Sequence, residues 1–202
     1  MNYNTLKITQ GSGKMEKLKS INTNTLTNEF CIKQSKNKNV ICSRCYSINN
    51  LKTFRKSCIP SRQHNSDLLD KKIIHKELLP TILDIYFRFN SDGELVNNIH
   101  LINLLNICEK NKHTTFALWT KRKDIVYQVE SKRKLPKNLI LVFSNSQIDK
   151  PLKTIPRLFH KTFNSVSDSF DKSAINCSGK CVECLKCYVK DNNINQIVEV
   201  MK

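Results

Sequence analysis

Between residues 81 and 146 the hydrophobic period changes four times, and that alternation restricts the folds open to the chain more than any other feature. "TILDIYFRFN" (81–90) alternates strictly, with Leu83, Ile85, Phe87 and Phe89 on one face. A period of two is the mark of a strand. "ELVNNIHLINLLNICEKN" (94–111) shifts to helical spacing, with Leu95, Ile99, Ile102 and Leu105 in one stripe. "TTFALWT" (114–120) predicts a second strand, "KDIVYQVESKRK" (123–134) a shorter helix, and "NLILVFSNS" (138–146) a third strand. That last run is apolar almost throughout, as in a strand buried on both faces. A weaker strand is predicted at 158–166.

Strand, helix, strand, helix, strand implies parallel pairing through right-handed crossovers. The expected fold class is therefore α/β, either a partial parallel (β/α) barrel or an open parallel sheet. Such folds gather their chemistry at the carboxyl ends of the strands. Here those ends run into Asn90-Ser91-Asp92-Gly93-Glu94, Thr120-Lys121-Arg122 and Ser144-Asn145-Ser146. All three are polar and would converge on one rim.

Three segments follow from the patterning. Residues 1–30, polar and rich in Asn, Thr and Lys, read as an N-terminal arm or a short edge strand. Residues 31–170 carry a cysteine-bearing loop and the α/β partial-barrel domain. Residues 171–202 form a cysteine-rich C-terminal segment. "SDLLDKKIIHKELLP" (66–80) predicts a helix capped by Ser66 and stopped at Pro80.

Nine cysteines are present. Cys177, Cys181, Cys184 and Cys187 stand at gaps of three, two and two residues. Thiolates packed so closely repel one another unless a cation neutralises them. Zinc prefers two Cys-x-x-Cys hairpins set apart. Iron–sulfur clusters are often held by a compact run of two- and three-residue gaps. The quartet resembles the compact run and points to an iron–sulfur cluster, 4Fe-4S in type, with zinc as the alternative. Cys31 and the pair Cys42-x-x-Cys45 are a second candidate group, able to hold a cluster with one iron open to a ligand. The Cys42–Cys45 pair as a redox dithiol lacks the strand-then-helix setting of thioredoxin-like proteins. Cys108, inside the long helix, reads as a small core residue, and His64 is the one histidine near the cysteine loop.

The formal charge is +17. Excess Lys and Arg fit a nucleic-acid partner through counterion release, but the lysines are scattered without the interleaved aromatics of a stacking platform. No apolar run approaches a membrane span, and the start "MNYNTLKITQ" has no signal-like apolar stretch. The expected location is cytoplasmic (the host cytoplasm for a viral protein), where cysteines serve metals or catalysis rather than disulfides.

The stretches "CSRCYS" (42–47), "RFNSDGE" (88–94), "LWTK" (118–121), "VFSNS" (142–146) and "CVECLKCY" (181–188) together resemble the phage gene-product-88 family. The resemblance covers most of residues 31–188. It implies a layout like a reduced radical-SAM barrel, in which three cysteines hold a cluster and a Gly/Glu turn after a strand contacts S-adenosylmethionine. Ser91-Asp92-Gly93-Glu94 stands where that turn would be. The N-terminal loop lacks the three-then-two cysteine spacing of radical-SAM enzymes; that spacing occurs only at the C-terminal end, where an accessory cluster is expected.

The function expected is iron–sulfur binding, with radical-SAM-like catalysis if the chain is an enzyme. Cys177, Cys181, Cys184 and Cys187 would hold one cluster and Cys31, Cys42 and Cys45 another. Asp92, Glu94, Lys121 and Ser144 would line the pocket, with Asp92 or Glu94 on an amino group of a small cofactor and Lys121 on a carboxylate. The competing reading is a zinc-stabilised, basic nucleic-acid-binding protein without catalysis.

Overall fold

Strand β3 (Tyr86–Phe89) turns Phe87 and Phe89 to one side and Tyr86 and Arg88 to the other, and the whole molecule follows that division. The structure is a computed structural model that describes residues 5–190 and 193–201. Beside β3 lie β1 (Ile8–Gln10), β2 (Lys19–Ile21), β4 (Thr115–Thr120), β5 (Leu139–Ile148), β6 (Lys161–Val166) and β7 (Gln196–Val200). The seven strands form one open sheet in strict sequence order. β1 is antiparallel to β2, and every later neighbour pair is parallel.

Sequential order has a physical consequence. Right-handed crossovers that always step the same way place their helices on the same face. That face carries α3 (Ile59–Lys71), α4 (Asn98–Lys110) and α5 (Lys123–Glu130). There Phe87, Phe89, Phe116, Leu118, Leu139 and Leu141 pack with Leu69, Leu101, Leu104, Leu105, Ile125, Val126 and Val129 as the main core. The three phenylalanines interlock, Phe89 stacked on Phe116 at 4.9 Å between centroids. The opposite face presents Ala117, Trp119, Ile140 and Val142, which α3, α4 and α5 do not cover. Met15, Leu18 and Tyr188 close it, with Cys181, Leu185 and Cys187 packed alongside. The cysteine-rich C-terminal segment thus serves as the second layer of the sheet.

The open-sheet form of the expected α/β fold is the one observed. The strands predicted at 114–120, 138–146 and 158–166 appear within two residues at each end, apart from the start of the last, which begins at Lys161. Residues 8–10 and 19–21 make the edge hairpin. β7 carries no prediction.

Three expectations need correction. The strand predicted over 81–90 starts only at Tyr86, and Leu83 and Ile85 are 83% and 71% exposed. Its parallel partners meet it no earlier than Tyr86 (opposite Thr115) and Phe87 (opposite Lys19), so the preceding residues have no ladder to join. The helix predicted over 66–80 instead spans Ile59–Lys71, entered through Pro60, whose missing N–H and fixed φ suit the first turn. Ser66 lies inside it and donates to the Arg62 carbonyl at 3.1 Å. Beyond Lys71 the chain leaves the helix because asparagines of α4 satisfy its backbone: Asn103 accepts from Ile74 N and donates to the Leu69 and Lys72 carbonyls, and Asn106 donates to that of Ile74. In α4 itself, Asn97 caps the helix at His100 N (2.9 Å), so it starts at Asn98 rather than Glu94. Its most deeply buried positions are Leu101, Leu104, Leu105 and Cys108, not Ile99 and Ile102. Cys108 is a core residue, as expected.

Candidate functional site

The carboxyl ends of β2 to β5 share one rim because these strands are parallel. The rim is polar and yet buried: Ser20, Asn22, Thr23, Asn24, Thr25, Asn90, Asp92, Glu94 and Thr120 are all under a tenth exposed. Buried polar atoms seek partners, and most here find one another, Thr23 Oγ1 and Asn90 Nδ2 excepted. Asn22 accepts from Ser91 Oγ (2.6 Å) and Asp92 N (2.9 Å). Asn65 of α3 donates to the Asn22 carbonyl at 2.9 Å.

The turn after β3 sends its two carboxylates to different partners. Asp92 Oδ2 accepts from Arg62 Nη2 at 2.7 Å and Nε at 3.2 Å, and both side chains are about 5% exposed. Glu94 accepts from Thr120 Oγ1 (2.5 Å), Leu95 N (2.8 Å) and Lys121 N (2.8 Å). Burial pushes the Glu94 carboxyl above its ordinary range, against the pull of Lys121 and these three donors. Gly93 lies between them at φ +109, and a Cβ there would stand 2.1 Å from Thr23 Oγ1; only glycine fits. Lys121 Nζ donates to Ser144 Oγ at 2.7 Å. Glu94, Lys121 and Ser144 are therefore joined across three strand ends, while Asp92 is tied to Arg62.

The cysteine loop is fastened to this same turn. Helix α1 (Glu29–Ser35) is capped by Asn28, which accepts from Cys31 N and donates to the Glu94 carbonyl (3.0 Å). Cys42 sits in a 3-10 turn over Ile41–Arg44, and Cys45 starts α2 (Tyr46–Lys52). The Tyr46 hydroxyl donates to the Ser91 carbonyl, and Thr25 and Ser47 hydroxyls meet at 3.3 Å. These ties gather Cys31, Cys42 and Cys45 near Glu94 and Lys121. Burial pushes the Cys31 thiol well up, and Glu94, Cys45 and Cys42 push it further, against Lys121. Burial likewise raises Cys42, opposed first by Lys121. His64 lies apart from this chemistry, donating through Nε2 to the Thr5 carbonyl (3.2 Å).

The C-terminal quartet lies on the uncovered sheet face. Cys177, Cys181, Cys184 and Cys187 line one cavity together with Leu185, Tyr188 and Ile197. The chain turns there through one helical turn, α6 (Cys181–Cys184), and a left-handed residue, Leu185 at φ 48. Cys177 and Cys181 are separated by Gly179, also at positive φ. Burial raises the thiols of Cys177, Cys181 and Cys187, that of Cys187 to about 12. Arg88 is the main charge opposing the rise at Cys181 and Cys187. All nine cysteines are free. Among the described residues no three His, Cys, Asp or Glu side chains close around a single point as one ion's ligands would.

The donors of both groups are of the type a cation takes, though among the described residues no three of them converge on one ion. Several thiols share a desolvated space in each, and each neighbour makes ionisation of the next harder. A cation reverses that balance, since thiolates are the form that binds metal. The residues that sequence patterns did not single out are Arg62, Arg88 and Trp119. Arg88 and Trp119 were visible as members of alternating strands, but nothing in the alternation tells which face will stay uncovered.

The family model described as Gene product 88 matches residues 2–196. No curated protein and no solved structure matches the chain.

Proposed function

The chain belongs to the gene product 88 family, and from that premise we propose that it is an iron–sulfur-binding protein of phage origin with two cysteine centres. Cys177, Cys181, Cys184 and Cys187 hold one cluster. Cys31, Cys42 and Cys45 hold the other and leave one iron for an external ligand. The observation that carries the proposal is the four-cysteine cavity on the sheet face, with a compact 3-2-2 spacing of the kind iron–sulfur clusters use. When bound, such centres supply one-electron chemistry.

In its finer form the proposal makes S-adenosylmethionine the external ligand at the first centre. What supports this is the closeness of Glu94 and Lys121 to Cys31 and Cys42 at the carboxyl ends of parallel strands. Glu94 would orient the ligand's amino group and Lys121 its carboxylate. Asp92, held by Arg62, would keep the turn in place rather than touch the ligand.

Anaerobic purification followed by iron, sulfide and zinc analysis tests the function. Iron and sulfide in comparable amounts, with visible absorption lowered by about half in a Cys181→Ser/Cys184→Ser variant that keeps the other cluster, are expected. Zinc at one or two equivalents without sulfide, together with DNA binding that falls steeply with salt, would establish the structural nucleic-acid-binding alternative instead. The finer form predicts a change in the spin-resonance spectrum of the reduced protein on adding S-adenosylmethionine, absent in Cys42→Ser.

A further inference from the structure

Two of the three Cys-x-x-Cys pairs are followed by a tyrosine, Cys45-Tyr46 and Cys187-Tyr188, and both phenols act on the same side chain, Arg88 of β3. Arg88 leaves the sheet on the face opposite α3, α4 and α5. Its guanidinium lies 3.8 Å over the Trp119 ring, and one terminal nitrogen meets Met15 Sδ at 3.3 Å. Its Nε and the Tyr188 hydroxyl are both sealed from solvent without a hydrogen bond of normal geometry, and the phenol lies close enough to interact with the guanidinium. The Tyr188 ring is wedged between Tyr86 and Trp119, each 5.8 Å away between centroids, so it cannot turn its hydroxyl to water without breaking that packing.

The phenol oxygen can accept from the guanidinium, which still leaves the Tyr188 O–H and further Arg88 N–H groups in want of an acceptor. A guanidinium so placed also calls for an anion. Arg88's charge acts directly on Cys181 and Cys187, and Tyr188 adjoins Cys187 and lines the cavity of the quartet. The neighbouring ion pair of Lys14 and Glu199, 2.6 Å apart, is already neutralised within itself. Of the lysines lining the cavity, Lys180 pairs with Glu183 (3.5 Å) and Lys186 donates to the Asn176 carbonyl (2.6 Å); Arg88, beside it, meets Trp119 and Met15 instead of a carboxylate.

We propose that Arg88 and Tyr188 are positioning residues for the C-terminal centre, donating N–H and O–H to sulfur and setting its reduction potential. The inference rests on the iron–sulfur reading of that centre. Four thiolates make a bound cluster a net anion, and reduction adds one more negative charge. A fixed cation in a low-dielectric site favours the more negative state, and donors to cluster sulfur act in the same direction. Arg62, at the strand-end rim, is spent on Asp92 and does not share this role.

The test uses anaerobically loaded full-length protein in a Cys42→Ala/Cys45→Ala background, which leaves the C-terminal centre as the source of signal. Midpoint potentials are read by redox titration followed by spin resonance. Arg88→Met, which keeps the stack on Trp119 without the charge, should shift the potential to more negative values; Arg88→Lys should shift it less. Tyr188→Phe keeps the ring packing and should give a smaller negative shift, and it serves as the deciding variant where Arg88→Met fails to fold. Loaded Arg88→Met and Tyr188→Phe proteins with the parent's potential would overturn the inference while leaving the cluster intact. A parent protein that binds no iron would remove the iron–sulfur reading itself, and this inference with it.

Discussion

The ion pair between Arg62 and Asp92 ties the helix layer to the turn that positions Glu94, and its energetic weight can be worked out from the structure. The pair is 2.7 Å long and both side chains are about 5% exposed. Solvent screening is therefore small, and neither charge has water to turn to. Asp92→Asn keeps the shape but leaves the Arg62 guanidinium buried against a neutral oxygen. Breaking one side of such a pair costs about 3–5 kcal/mol, most of it the penalty for the charge left behind. For a chain of about 200 residues that lowers Tm by roughly 6–20 °C, at about 2–4 °C per kcal/mol. The double variant Arg62→Met/Asp92→Leu removes both charges and should recover most of the loss, since an apolar pair of similar volume is often neutral. Urea unfolding of the parent, Asp92→Asn and the double variant, all metal-free and reduced, measures both changes, with the slope against urea checking that unfolding stays two-state. A cost below about 1 kcal/mol for Asp92→Asn, the range of exposed pairs, would refute the reasoning. It would mean that Asp92 is not committed to Arg62 and is available to a ligand instead.

Other consequences are open to simple measurements. His100 is fully buried, and burial pushes its pKa down to about 4. The unfolded chain takes that proton near 6.5 and the folded one only near 4. Stability from this group is whole above pH 6.5 and falls by about 3 kcal/mol as pH drops to about 4; in metal-free protein, His100→Gln should flatten that acid limb. Gly93→Ala should destabilise by about 2–6 kcal/mol, from overpacking against Thr23 together with backbone strain, measured by urea unfolding. Cys108→Ala should leave iron content unchanged, while Cys184→Ser should lower it; equal loss in both would contradict the separation of core and ligand cysteines.

The sequence legibly marked the elements whose burial follows a simple period. Phe87 and Phe89 alternate into the core, Phe116 and Leu118 do the same, and Leu139 to Val142 are buried on both sides, as their unbroken apolar run requires. The cysteine quartet was legible for a similar reason, because its spacing is local. The rim was legible only in outline. Segment 20–25 reads as polar and unpatterned, since its buried positions hold Ser, Asn and Thr, and periodicity counts only apolar residues. The stretch 72–80 looked helical because the asparagines that hold it otherwise lie about thirty residues away in α4.

What the sequence determined by itself was the order of strand and helix, the parallel sheet that this order implies, and the density of thiols near each end. Only the tertiary structure decided which carboxylate would be consumed by an arginine and which would face Cys31. Likewise, only the fold could bring Tyr46, Arg88 and Tyr188 together from three separate segments. The reason is physical: periodic burial is a property of neighbours along the chain, whereas charge pairing and desolvation depend on which distant groups share a space once water has been driven out.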